Sequence, residues 1–192
     1  MKILLLSLAF CAVINTTVAQ NAVKTNISAG DERVNAIDPK KDIAANIATL
    51  KQADIFSRWI KACGLIQTMN DPGPLTVFLP PDSAFNQSPP YKLDTATLSK
   101  KKFDLIALIT YHALPGKVSA KNIAKEIGRG KGVAVFRTIS GAPLKARFDE
   151  GGNIELQDES GNKSKLLKTD LKQKNGLIHL ISSVLIPKFK SI

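Results

Sequence analysis

Few side chains in this 192-residue chain could do chemistry: two histidines, His112 and His179, and two cysteines, Cys11 and Cys63. Imidazole and carboxylate both suit zinc, so His112 and His179 with Asp82 or Asp170 would be the donor set to consider. The surroundings argue otherwise. His112 runs into Ala113 and Leu114, and His179 lies between Ile178 and Leu180. An imidazole among aliphatics reads as a hydrogen-bonded core residue. Cys63 follows Ile60 at helical spacing and precedes Leu65, the setting of an inert buried thiol. Nucleophile-elbow, zinc-ligand and phosphate-loop patterns do not occur. No catalytic residue, metal or cofactor is expected, and the chain reads as a binding protein rather than an enzyme.

Charge is the chemistry that remains. The net charge is +11, and it is unevenly placed: residues 1–99 carry 9 Lys and Arg against 8 Asp and Glu, residues 100–192 carry 18 against 8. The first residues suggest where that charge operates. Lys2 precedes an apolar run from Ile3 to Ile14, broken only by Ser7, and Thr17-Val18-Ala19 supplies small residues at the cleavage positions. Residues 1–19 therefore read as a signal peptide cut near Ala19. The run is shorter than the about 20 residues a bilayer span needs, so no membrane span is expected. A product secreted, periplasmic or held at the cell surface meets little nucleic acid. Its partners would be an extracellular or cell-surface protein or an acidic polysaccharide. The exposed cations best suited to that contact are Lys100, Lys101, Lys102, Lys145 and Arg147. A solvated, merely solubilising lysine face is the competing reading. With the leader gone Cys63 is the last cysteine, so about 150 residues must be held by a packed core, as a monomer without an internal disulfide.

The elements that must position these residues follow from periodicity. Residues 20–37 read as a flexible mature N-terminus, and residues 189–192 as a C-terminal tail. Asp42 is placed to cap a helix carrying Ile43, Ile47 and Leu50; a second helix runs from about Ala53 to Cys63 and stops at Gly64. Leu75–Leu79 is a buried strand ended by Pro80-Pro81, with Asp82 capping a short helix through Phe85. A surface loop over 87–93 leads to a largely buried helix, Lys100–Ile109. Ser119 caps another through Ile127. After Gly132 the period becomes two: strands are expected at Val133–Ile139, Leu144–Phe148, Ile154–Leu156, Ser164–Thr169 and Leu177–Ile186. In Leu144–Phe148 the residues Leu144, Ala146 and Phe148 alternate with Lys145 and Arg147, which puts both cations on the solvent face of a half-buried sheet. Helices first and a meander after make an α+β domain.

Three segments carry a resemblance. They are Leu75–Phe85 (LTVFLPPDSAF), Thr110–Ala120 (TYHALPGKVSA) and Asn175–Pro187 (NGLIHLISSVLIP). In this order and spacing they resemble the signatures of the fasciclin domain family, over residues 38–188. The resemblance implies a fasciclin-like fold in which N-terminal helices pack against a mostly antiparallel β-sheet wedge. It also implies a non-catalytic adhesion or extracellular-matrix interaction module. In that family the pair matching Tyr111 and His112 is implicated in adhesion, so both join the candidate partner-binding residues; read as extended chain, they would point to opposite faces. The acidic residue that often follows Ile181 in the family is Ser182 here, and integrin-type recognition does not carry over. Asp170 matches the family's acidic position before the last strand and should satisfy backbone donors in that loop. The alternative is a periplasmic or surface small-ligand-binding module, with a closed apolar pocket lined by Phe78, Tyr111 and Phe136.

Overall fold

The computed structural model describes residues 37–70, 73–87 and 102–188. The leader, nearly all of the N-terminal stretch, most of the 87–93 loop, Lys100, Lys101 and the C-terminal tail lie outside the described residues. Six helices and seven strands are described. Helix α1 (Ile43–Ile47), α2 (Asp54–Ala62) and α3 (Ile66–Asn70) come first, then β1 (Leu75–Leu79) and α4 (Asp82–Gln87). Helix α5 (Lys102–Tyr111), β2 (Ala113–Pro115) and α6 (Ala120–Arg129) follow. The meander is β3 (Ala134–Arg137), β4 (Pro143–Phe148), β5 (Ile154–Gln157), β6 (Lys163–Gln173) and β7 (Gly176–Ile181).

Helix α2 forms because Phe56, Trp59 and Ile60 fall on one buried face while Asp54, Arg58 and Lys61 stay outside. It ends where Gly64 takes φ 72°, letting the Gly64 and Leu65 N–H groups bond back to the Lys61 and Ile60 carbonyls. The helix starts are capped from further away than local sequence suggests. Asp42 makes no cap bond to α1; its place is taken by Asn175, whose Oδ1 accepts from Ile43 N at 2.9 Å. Asp82 does not cap its own helix. Pro81 leaves it inside the first turn of α4, and its carboxylate accepts from Asp54 N at 3.1 Å and Ile55 N at 2.9 Å, so it caps α2. Asp82→Ala should therefore cost about 1–2 kcal/mol, read as a lower urea midpoint at unchanged slope. A variant as stable as the parent would show that water replaces the cap. Ser119 behaves as its sequence indicates, accepting from Asn122 N at 3.2 Å.

The sheet order is β2-β1-β7-β6-β5-β4-β3, antiparallel throughout except for the parallel β1–β7 pair. Strand β7 is apolar along its length because it lies between β1 and β6 with both faces covered. It starts at Gly176, where a Cβ would overlap the Leu75 carbonyl of the neighbouring strand. Beyond β3, Ile139 N bonds to Ala113 O at 2.8 Å and Ser140 N to Thr110 O at 3.3 Å, so the far edge of the sheet curls back toward β2. Two cores result. One gathers the helices with β1, including Ile43, Phe56, Trp59, Met69, Leu105 and Leu108. The other sits between α6 and the meander, with Phe78, Tyr111, Ile123, Ile127, Leu144 and Leu156. The architecture is the expected α+β one, helices packed against a mostly antiparallel sheet.

Candidate functional site

The inner face of the meander is fixed by Leu144, Ala146 and Leu156, all buried. Strand alternation sends their neighbours outward. Register then aligns the outward residues in rows across the strands: Val135, Lys145, Gln157 and Lys163 in one, Arg147, Glu155 and Lys165 in the next. Arg137, beside Val135 on edge strand β3, completes a face with five cations: Arg137, Lys145, Arg147, Lys163 and Lys165. Within a row, residues two strands apart stand about 10 Å from one another.

Two carboxylates organise part of this face. Glu155 is 7% exposed although it is on the solvent side. Its Oε1 accepts from Arg147 Nε at 3.1 Å, with Arg147 Nη2 also at 3.1 Å and Lys163 Nζ at 3.4 Å. Asp149, in the β4–β5 turn, pairs with Lys165 Nζ at 2.8 Å. That contact, helped by the Asn153 N–H, holds the Asp149 carboxyl down at about 2, and Asp149 in turn raises Lys165. Lys145 and Arg137 have no ion-pair partner among the described residues. Arg147, Asp149, Glu150, Asn153, Glu155, Lys163 and Lys165 surround an open polar depression of about 590 Å3.

The other residues singled out in the sequence lie elsewhere. Lys102 is exposed at the start of α5, near Cys63 at the end of α2. The far end of the same helix, about 14 Å along, reaches β4 through Tyr111 Oη, which donates to Pro143 O at 2.9 Å. Lys102 and the Lys145–Arg147 pair are thus separate patches, and Lys100 and Lys101 lie outside the described residues. Tyr111 and His112 are not extended chain: α5 runs through Tyr111, and His112 turns the chain by donating from N to Ile109 O at 3.1 Å. Neither side chain presents any surface. Burial pushes the Tyr111 phenol up, with the Asp158 and Glu159 carboxylates adding to it. A partner could touch this pair only if the core opened, so the structure moves the expected contact off Tyr111 and His112.

Both histidines are clamps. Leu185 N donates to His112 Nε2 at 3.0 Å, so Nδ1 carries the proton and donates to Leu108 O at 2.8 Å. Asp170 N donates to His179 Nδ1 at 3.2 Å, and His179 Nε2 donates to Val118 O at 2.9 Å. Burial holds His112 down at about 4 and lowers His179 as well. Asp170, at φ 59° in a β6 irregularity, accepts from Ala120 N at 3.1 Å, so it serves the start of α6 rather than the loop before β7. With every ring nitrogen engaged and Asp82 capping α2, the considered zinc set is dispersed, and the described residues hold no group of three His, Cys, Asp or Glu that could bind a metal. Burial raises the Cys63 thiol and leaves it inert. Phe78, Tyr111 and Phe136, the lining expected of a small-ligand pocket, instead pack in the second core, with Phe78 stacked on His179 at 5.6 Å.

One structural residue escaped the sequence reading. Asp158 is buried and accepts from Ser160 N at 2.9 Å, Asn162 N at 2.8 Å, Asn162 Nδ2 at 3.0 Å and Ile186 N at 2.9 Å. Its signal was present as a repeated pentapeptide: Asp149-Glu150-Gly151-Gly152-Asn153 and Asp158-Glu159-Ser160-Gly161-Asn162 form the same Asx-anchored hairpin loop.

A helical layer and a curled sheet, with the titratable core residues committed to structure and cations arrayed on the open face, define a domain built to present a surface. The chain belongs to the fasciclin domain family, which matches residues 51–187. Protein sll1483 of Synechocystis sp. is 28% identical over 67% of this chain and 63% of its own length. Human Stabilin-1 is 30% identical over 78% of this chain, which covers 5% of that protein. Among solved structures, a FAS1 domain pair from the insect cell adhesion molecule Fasciclin I superposes with a TM-score of 0.59 at 18% identity, over 78% of this chain and 51% of that one. The chain thus spans less than two thirds of each of these relatives. No helix among the described residues is long and apolar enough to cross a membrane.

Proposed function

We propose that the domain is a non-catalytic adhesion module, exported by its 1–19 leader and acting as a monomer at the cell surface or in the surrounding matrix. Its ligand in this reading is an acidic surface polysaccharide, held on the outward face of β3–β6. The observation that carries this is the row pattern: five cations share one solvent face, opposed by Glu155 and, in the β4–β5 turn, by Asp149 and Glu150, and Lys145 and Arg137 are left without an ion-pair partner among the described residues. The cell adhesion molecule among its structural relatives supports the same class of function. Lys102, at the other end of α5, is a second candidate contact, together with its sequence neighbours Lys100 and Lys101.

The test is binding of the purified protein to alginate or heparin at low and high salt. Combining Lys145→Glu with Arg147→Gln should weaken low-salt binding at least about tenfold, since each cation near an anionic surface contributes about 1 kcal/mol. Salt should weaken the parent in the same direction. Unchanged affinity in this variant, with loss when Lys100–Lys102 are neutralised, would transfer the contact to that lysine run. No binding at either salt would make the charge a solubility device.

A further inference from the structure

The depression on this face differs from the cations around it in two ways. Its charges balance, with Asp149, Glu150 and Glu155 against Arg147, Lys163 and Lys165. Its polar groups are also fixed in advance. Glu155, 7% exposed, is gripped by Arg147 and Lys163, and a carboxylate is seldom buried so deeply without such partners. Asp149 is held by the N–H groups of Gly151 at 2.9 Å and Asn153 at 2.8 Å, as well as by Lys165. Beside these groups, Phe148, a residue 44% exposed, forms part of the lining.

Such a concavity does not select an ion. Arg147, Lys163 and Lys165 already face carboxylates, and the described residues offer no metal-binding trio. What it offers is donors and acceptors side by side, with Glu155 and Asp149 held by their partners, next to an apolar ring. That complements a hydroxyl-rich ring with one apolar face. We propose that the depression is a subsite for a neutral saccharide residue. The proposal rests on the polysaccharide reading above and deepens it. Lys145 stands two residues along β4 from Arg147, about 7 Å away, so a glycan seated in the depression continues onto the unpaired cation.

The test is an NMR titration of the 15N-labelled protein with neutral glucose-, galactose- and mannose-based tetrasaccharides, followed by alginate. At least one neutral probe should shift the Gly151, Gly152 and Asn153 amides saturably, and 1 M salt should leave that binding intact, because screening acts on net charge. Phe148→Ala should weaken it about fivefold. Absence of saturable shifts with every neutral probe overturns the subsite without recourse to any variant. The two readings also fail separately. If alginate binds and yields to salt while those amides and Phe148→Ala are indifferent, the subsite is overturned and the basic face stands. If a neutral probe binds at those amides and alginate does not bind, the subsite stands and the polyanion reading falls.

Discussion

Replacing Asp158 with alanine should lower the unfolding free energy by about 3 kcal/mol and the melting temperature by about 10 °C. The carboxylate accepts four hydrogen bonds, three from backbone N–H groups, and the one from Ile186 joins the β5–β6 loop to the chain beyond β7. That Ile186 donor is buried, so losing its partner leaves an N–H with no access to water, the costly case among hydrogen-bond deletions. Asp149 supplies the control. It anchors the same loop pattern through Gly151, Asn153 and the Asn153 side chain, but it faces the open depression, and its link to another strand is an ion pair with the half-exposed Lys165 rather than a buried backbone N–H. Asp149→Ala should therefore lower the urea midpoint much less than Asp158→Ala does. Hydrogen exchange at Leu185 and Ile186 should accelerate in the Asp158 variant and not in the Asp149 variant. Equal losses in the two would mean that the strap to Ile186 contributes nothing.

The same contrast explains how far the sequence could be read. Several roles whose partners lie within a turn or two were legible, although the equally local Asp158 loop was not. Ser119 caps the helix that follows it, Gly64 ends the helix before it, and Leu144 and Ala146 point inward while Lys145 points out. Where the partner comes from another part of the chain, Asp82 and Asp170 were legible as acceptors of backbone N–H groups but not which groups, and Asn175 was not legible as a cap at all. Asp82, Asn175 and Asp170 all cap helices, but helices that they neither begin nor precede. Capping needs an oxygen at a point in space, and periodicity carries no information about which distant loop will supply it. The insertion of β7 between β1 and β6, including the parallel pair, was hidden for the same reason. As extended chain the Tyr111-His112 pair would split to opposite faces, yet apolar residues continue the helix through Tyr111, and the His112 ring then bonds the Leu108 carbonyl four residues back. Phe148 fits the inward alternation but sits at the end of β4 where the Asp149 loop begins, so it remains exposed beside the depression. The basic face itself was half legible. Lys145 and Arg147 follow from one strand, whereas Lys163, Lys165 and Arg137 join them only through register.

Acid should weaken this domain through its buried histidines, and His112 is the main reason. Its Nε2 accepts from Leu185 N–H, so protonation would set one donor against another and place a charge among Leu108, Phe56 and the chain beyond β7. Burial accordingly lowers its folded pKa to about 4 from an ordinary 6.5. Between those values the unfolded chain binds a proton that the folded one refuses. Stability from this group is thus complete above pH 6.5, is lost as pH falls toward about 4, and amounts to about 3 kcal/mol over that window. His179, lowered by burial and clamped between Val118 O and Asp170 N, acts with the same sign. Only below this range does Asp149, held down by Lys165, add a further loss as it protonates near pH 2. Urea midpoints measured from pH 7.5 to 4.5 should therefore decline steadily. In His112→Gln the midpoint at pH 7.5 should be lower, because the ring and its edge contact with Phe56 at 5.4 Å are lost, but the decline with acid should be much shallower. A variant whose midpoint falls as steeply as the parent's would assign the acid sensitivity to other groups. If the slope flattens, the histidine of the Tyr-His pair acts as a neutral pin between α5 and the chain beyond β7.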